Sequence, residues 1–264
     1  MDIGVAPGSA AAIGAQSGDP CAAVGLAAKL SRYLTLTGPE RACIAGLAAT
    51  TQLVARRRDL VREGHECATA YLLCSGVVSR YRVLPDGRRQ VLNFGLSGDL
   101  VGFPSCLFPR ATASVCCITD VLVAPLPLEQ VSALFTRFPR LGTALFWAAA
   151  REAAIGAERL VAVGRRGADE RVAYFFLELF ALQAEAPLRD GDRFTFPVTQ
   201  ELIADAIGLS TPHVNRTLRK LRQRRLLALD GQEAVVLDAR GLIMTASFDP
   251  AHFVPRPIPG GLSL

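Results

Sequence analysis

The chain has 264 residues, 50% hydrophobic and 20% charged, which excludes disorder over most of its length and favours two modest domains over one large core. Lys and Arg outnumber Asp and Glu by 29 to 24, and a net +5 only mildly favours an anionic partner such as nucleic acid. No apolar run approaches the roughly 18 residues of a membrane span and the N-terminus lacks the basic start of a secretory signal, so the protein is expected in the cytoplasm, with no membrane partner.

Residues 1–24 are rich in Ala and Gly and offer no periodic face to bury, which predicts a mobile leader. From Leu53 to Pro127, short apolar and β-branched stretches such as AYLLCSGVVSRYRV are punctuated by Gly64, Gly76, Gly87 and Gly98, at intervals of 12, 11 and 11. That spacing suits a small all-β barrel or roll, leaves an unrelated β-sandwich open, and makes Asp86-Gly87 a tight hairpin turn. The seven cysteines, at 21, 43, 67, 74, 106, 116 and 117, are odd in number and lack C-x-x-C spacing. This speaks against a disulfide framework or a closed zinc site and leaves them mainly as buried small hydrophobes. Strand alternation puts Cys116 and Cys117 on opposite faces.

After Pro127 a helical pattern takes over, with Leu128 to Phe135 as a short helix and Pro139 placed to begin a long one. Along it Phe146, Ala149, Ala153, Gly156, Leu160 and Val163 recur at steps of 3 and 4, a heptad seam whose small residues favour close approach of two copies over packing on the β domain. Gly164-Arg165-Arg166-Gly167-Ala168 interrupts the pattern and reads as a hinge. Asp169 to Ala184 resumes as a helix that opens a second domain. The tail from Ser247 to Leu264, with four prolines and a Gly pair, is expected to be extended or disordered.

The most specific signal is the run TQELIADAIGLSTPHVNRTLRKLRQ at residues 199–223. Thr199 can cap a helix in which Leu202, Ile203, Ala206 and Ile207 share a face, and Gly208 supplies the left-handed residue that ends it. Ser210 or Thr211 then caps a second helix with Pro212 in its first turn and Val214, Leu218 and Leu221 as the buried stripe. Its other side carries His213, Asn215, Arg216, Arg219, Lys220, Arg222, Arg224 and Arg225, so residues 199–225 hold a net +4. Arg can pair with guanine and Asn with adenine in the major groove, while Lys220 and the later arginines suit phosphates, and Arg219 joins the DNA-binding set. RRLLAL and AVVL, joined by Asp230-Gly231-Gln232-Glu233, read as a β-hairpin wing. An enzyme is not expected: His65, His213 and His252 are scattered, and neither a phosphate loop nor a nucleophile beside a base is found.

The runs LPDGRRQVLNFGLSGDLVGF and IADAIGLSTPHVNRTLRKLR, in that order, resemble the CRP/FNR superfamily of bacterial regulators over about residues 30–243. The resemblance implies an α+β fold: an N-terminal cyclic-nucleotide-binding-type β-roll (jelly roll), a long dimerisation helix and a C-terminal winged helix-turn-helix. The implied division is a leader (1–24), β-roll (25–138), dimerisation helix and hinge (139–167), DNA-binding domain (168–246) and flexible tail (247–264). The implied partners are double-stranded DNA at two-fold symmetric promoter sites, a second copy, and RNA polymerase if the protein activates. Arg216 falls where the family keeps a base-reading arginine, and Thr199, Gln200, Ser210 and His213 fall on phosphate-contacting positions. Pro212 stands where many members carry a base-reading glutamate, which puts forward Thr211 and Asn215 to compensate.

In cyclic-nucleotide-binding members a glutamate after Gly-Asp-x-x-Gly holds the ribose; here that position is Phe103, and Arg110, the candidate phosphate arginine, is displaced by one position. No cofactor is therefore expected: neither a cyclic nucleotide nor, with only Cys21 in the leader, the iron-sulfur cluster of the FNR branch. The chain resembles the cofactor-free, FixK-like members more. The alternative is a β-roll that senses a small anion or nucleotide through Arg88, Arg89 or Arg110 and so controls DNA binding.

Overall fold

The computed structural model describes residues 13–17, 20–183, 190–254 and 256–258. Strand β1 (Ile13–Ser17) and helix α1 (Pro20–Ser31) come first, followed by α2 (Gly38–Leu47). A capping box starts α2: Thr37 Oγ1 accepts from the Glu40 N–H, and Glu40 Oε2 accepts from the Thr37 N–H at 2.7 Å. The roll is built from β2 (Thr50–Val54), β3 (Asp59–Val61), β4 (Thr69–Ser75), β5 (Val78–Val83), β6 (Arg89–Gly95), β7 (Leu100–Val101), the short α3 (Phe103–Cys106), β8 (Ser114–Cys117) and β9 (Val121–Pro127). Its strands form antiparallel sheets in the orders β1-β2-β9-β4-β7 and β3-β8-β5-β6. Alternating side chains close between them on Val61, Leu73, Val78, Val115, Val121 and Val123.

The recurring glycines have a backbone cause. Gly64, Gly76, Gly87 and Gly98 all have φ between 80° and 88°, the left-handed region that a side chain disfavours. At Gly76 a Cβ would also lie 2.5 Å from the Asp120 carbonyl. The β5–β6 connection differs from the tight Asp86-Gly87 turn expected. It spans residues 84–88, closed by Leu84 N–H to Arg88 O at 2.8 Å, because Pro85 has no N–H to extend the ladder.

The second half runs through α4 (Leu128–Arg137), α5 (Pro139–Arg165), α6 (Ala168–Gln183), β10 (Arg193–Thr195), α7 (Gln200–Ile207), α8 (Thr211–Gln223), β11 (Leu227–Asp230), β12 (Glu233–Val236), α9 (Ala239–Ala246) and a 3₁₀ turn (Pro250–Phe253). β10, β12 and β11 make a small antiparallel sheet in that order. The expected hinge is shorter than its sequence suggested. α5 runs through Gly164 to Arg165, leaving Arg166 and Gly167 between it and α6; one glycine in a helix costs only about 1 kcal/mol.

Both ends depart from expectation. Within the supposed leader, β1 pairs with β2 and α1 begins at Pro20, while residues 1–12 lie outside the described residues. Leu26 and Leu30 supply the burial that composition concealed, packing with Ile44, Leu72 and Leu141. Gly25 permits the approach: a Cβ there would meet Ser97 Oγ at 2.8 Å. In the tail, Phe248 and Phe253 stack at 4.8 Å and lie beside Tyr174, so two aromatic anchors outweigh the prolines around them.

The two halves share one core. Phe94 of β6 sits edge-on to Phe175 at 6.0 Å and to Phe196 at 5.1 Å. A polar chain runs alongside: Asn93 Nδ2 donates to Glu152 Oε1 (2.8 Å), and Arg159 pairs with Glu152 (2.8 Å) and Glu178 (2.6 Å). Burial opposes charge on Arg159, but the two carboxylates outweigh it and raise its pKa above the usual arginine value. Burial alone would raise Glu152; the Arg159 charge and its hydrogen bonds instead hold it below the usual glutamate range. Its stabilising contribution is therefore complete above the ordinary glutamate value of about 4.3 and is lost as pH falls through the lower folded value. Arg159→Leu strands Glu178 and is expected to lower the urea-unfolding free energy by about 3–5 kcal/mol. Arg159→Leu combined with Glu178→Leu should recover the part of that loss that comes from Glu178, Glu152 still lacking its guanidinium; equal losses in the single and double variants would refute the Glu178 pairing.

Candidate nucleic-acid interface

The helix-turn-helix is built from local signals. Thr199 is extended (ψ 156°), and its Oγ1 accepts from the Leu202 N–H at 3.2 Å, which starts α7. Gly208 ends it at φ 67°, and the Leu209 N–H returns to Ala204 O at 3.1 Å. Ser210 is the N-cap of α8 by backbone geometry, but its side chain makes no capping hydrogen bond and its residue stays exposed. Pro212 lies in the first turn, where a missing N–H costs nothing.

One face of α8 is sealed. Val214, Thr217 and Leu221 are buried and Leu218 is partly so; Thr217 was absent from the stripe expected of the sequence because a hydroxyl does not count as apolar. Opposite them Pro212, Arg216, Arg219 and Gln223 are exposed at helical spacing, flanked by half-buried Thr211, His213 and Asn215. Thr199 and Gln200 are exposed at the start of α7. The basic residues are not equivalent. Lys220 contacts Asp169 at the start of α6; Arg224 lies 3.9 Å from the same carboxylate and donates to Thr245 Oγ1 at 3.2 Å. Among the described residues, Arg216, Arg219 and Arg222 have no ion pair. The wing is the β11–β12 hairpin, paired from Leu227 with Val236 to Asp230 with Glu233.

The long helix leaves an apolar face uncovered. Phe146 and Leu160 are 66% and 74% exposed, and Ala149 and Ala153 are exposed beside them. Gly156 is half-buried, and Val163 turns away: its Cγ1 lies 3.4 Å from where a Cβ on Gly208 would be. A strict heptad drifts by about 20° per repeat around a straight helix, so the open face continues instead through exposed Ala157 and Gly164.

The three arginines suggested as anion ligands are engaged in different places. Arg88 pairs with Asp86 at 2.7 Å, and Arg110 Nη1 donates to Gly64 O at 3.0 Å. Arg89 crosses to the other half, pairing with Asp205 of α7 at 2.6 Å, while Gln90 donates to Ala206 O at 3.1 Å. This junction was invisible in sequence, since its partners lie 116 residues apart.

A winged helix-turn-helix with a basic outer face, fixed to a β-roll by one long helix, defines a DNA-binding transcription regulator. Residues 170–244 match the Crp-like helix-turn-helix domain, and residues 52–138 match the cyclic nucleotide-binding domain. The chain belongs to the CRP/FNR family of transcription regulators. It is 33% identical over 163 residues to the nitrogen fixation regulation protein FixK of Bradyrhizobium diazoefficiens, covering 60% of this chain and 66% of that protein. With the FixK of Rhizobium meliloti it shares 30% over 174 residues, covering 65% and 75%. The structure of FixK2 from Bradyrhizobium japonicum superposes with a TM-score of 0.68 at 25% identity, covering 76% of this chain and 98% of that one.

Because a left-handed conformation costs an ordinary residue roughly 1–2 kcal/mol, Gly208→Ala is expected to lower stability by that amount in urea titration. An unchanged midpoint would mean that the turn does not depend on glycine.

Proposed function

We propose that the protein binds two-fold symmetric promoter DNA as a homodimer, with α8 of each copy in the major groove. The observation that carries this reading is the outward stripe of Arg216 and Arg219 on a helix whose opposite face is sealed in the core. Arg216 stands near enough to the start of α8 to read a base, with Thr211 and Asn215 beside it in place of an acceptor at Pro212. Thr199, Gln200, Ser210, His213 and Arg219 meet phosphates; Lys220 does so by exchanging Asp169 for a phosphate oxygen. The uncovered face of α5 supports the second copy, since Phe146 and Leu160 on a small-residue helix gain most from an identical partner face. Among the described residues no helix is long and apolar enough to cross a membrane, and we place the protein in the cytoplasm with its DNA. RNA polymerase is the further partner if the protein activates, the role printed for its relative FnrA of Stutzerimonas stutzeri.

The residues present do not fit a cyclic nucleotide. Phe103, where family members hold the ribose, packs toward the apolar cluster that includes α1 and α2 and has no acceptor for a ribose hydroxyl, and Arg110, displaced by one position, gives one of its donors to Gly64 O. Titration with cyclic AMP in a calorimeter should give no binding heat; micromolar affinity coupled to DNA affinity would favour the ligand-sensing reading instead.

Selection from random duplexes should return two half-sites about one helical turn apart. On that site Arg216→Ala is expected to cost about 1–3 kcal/mol and relax specificity at one base pair, while Arg219→Ala should weaken all sequences alike and reduce the salt slope by about 1. Unchanged affinity and specificity for Arg216→Ala would remove its base-reading role. Leu160→Glu puts charge into the proposed seam and should shift the protein to monomer in sedimentation velocity; a wild-type monomer that binds its site fully would defeat the dimer.

A further inference from the structure

Two thiols the fold brings together have no part in DNA binding. Cys67 lies just before β4 and Cys106 ends α3, 39 residues later, yet their sulfurs are 3.4 Å apart. Cys106 is 7% exposed and its sulfur also lies 3.5 Å from Gly102 O; Cys67 is more open, 3.6 Å from Thr69 O. The segments that carry them connect through other contacts, since Gly102 would place a Cβ 3.8 Å from Thr69 O and 3.9 Å from the Tyr71 ring. A covalent S–S bond is about 2.05 Å long, so closure needs a movement of roughly 1.4 Å, small for two residues outside regular strands.

We infer that Cys67 and Cys106 form a dithiol site that a peroxide converts reversibly to an intrachain disulfide, stapling the segment before β4 to α3 of the β-roll. In the first step the more accessible sulfur, Cys67, attacks the peroxide: the O–O bond breaks, Cys67 becomes a sulfenic acid, and the second oxygen leaves as water. Cys106 sulfur then displaces the sulfenic oxygen as hydroxide, which takes the Cys106 proton and leaves as a second water. Two thiols have lost two electrons to one peroxide, and one S–S bond has formed. Peroxide reaches Cys67 first because Cys67 is the more exposed of the two; burial, then its contact with Cys67, raises the Cys106 pKa to about 12, which slows attack on peroxide by Cys106 itself. Closure restricts a segment that includes β4 through α3, and a thiol reductant reverses it. In a reducing cytoplasm such a pair is open except under oxidant, the behaviour of a sensing site rather than a structural one.

The test treats the full-length protein with low hydrogen peroxide, alkylates remaining thiols and maps tryptic peptides without reduction. The expected product joins residues 63–80 to residues 90–110, with fragment ions placing the link at Cys67 rather than Cys74, which shares its peptide. The link should form faster in folded protein than in urea, disappear on reduction, and be lost in both Cys67→Ser and Cys106→Ser. Oxidised wild type should melt at a higher temperature than reduced wild type, while peroxide gives Cys106→Ser no such rise. Reduced melting temperatures close to wild type show that the variants are folded. The inference fails if another cysteine pair closes first in the folded protein, or if the link forms equally fast in urea.

Discussion

Arg159 sets the relation between the two halves. Its guanidinium is nearly buried between Glu152 on its own helix and Glu178 on the next, and Glu152 in turn accepts from Asn93 of the β-roll. A charge taken out of water is tolerated only where its partners are in place, and a planar fork facing two carboxylates tolerates few geometries. The hydrophobic contacts beside it, Phe94 on Phe175 and Phe196, would accept a range of sliding arrangements. The ionic chain selects among them. α5, α6 and β6 are thereby held in one arrangement, and α7 is placed where Arg89 reaches Asp205.

The consequence for DNA binding is geometric. A helix of 27 residues is about 40 Å long, so a small change of angle at its end moves whatever it carries by several ångströms. α8 is seated on α6, with Val214, Thr217 and Leu221 buried, and Lys220 and Arg224 reach back to Asp169 at the start of α6. The outward direction of Arg216 is therefore inherited from α6, and α6 inherits its own from Arg159. In the proposed dimer, half-site spacing would depend on that same chain of contacts together with the uncovered face of α5.

What could be read from the sequence was what local chemistry decides. The helix-turn-helix was legible because Thr199, Gly208 and Pro212 each act on backbone within a few residues, and the apolar spacing between them has one helical solution. The spaced glycines announced the roll, since each occupies a left-handed turn. The failures share a different cause. Phe248 and Phe253 anchor a segment whose composition is otherwise that of a tail, and α1, which begins inside the expected leader, is anchored by Leu26 and Leu30 just beyond it, so in both places a few anchors are invisible to an average over composition. Val163 was assigned to the seam because a heptad ignores the drift of a straight helix. Arg89 with Asp205 and Cys67 with Cys106 are meetings that topology alone arranges.

The same contacts limit how a signal can act. The linker of Arg166 and Gly167 looks free in sequence, but Arg171 Nε donates to Arg166 O at 2.7 Å and the Gly167 N–H is held by Glu170 at 2.7 Å, so the linker is tied down by the helix it precedes. Reorienting the DNA-binding half means separating Arg89 from Asp205, Gln90 from Ala206, Arg159 from Glu178 and the Phe94 contacts together. Arg89, Gln90 and Phe94 all lie on β6, so those three contacts are lost or kept together, while Arg159 and Glu178 lie on the two helices that the linker joins. A shift of β6 would act on its own three contacts at once and, through Asn93, on Glu152, so the DNA-binding half is coupled to the roll as well as to the linker.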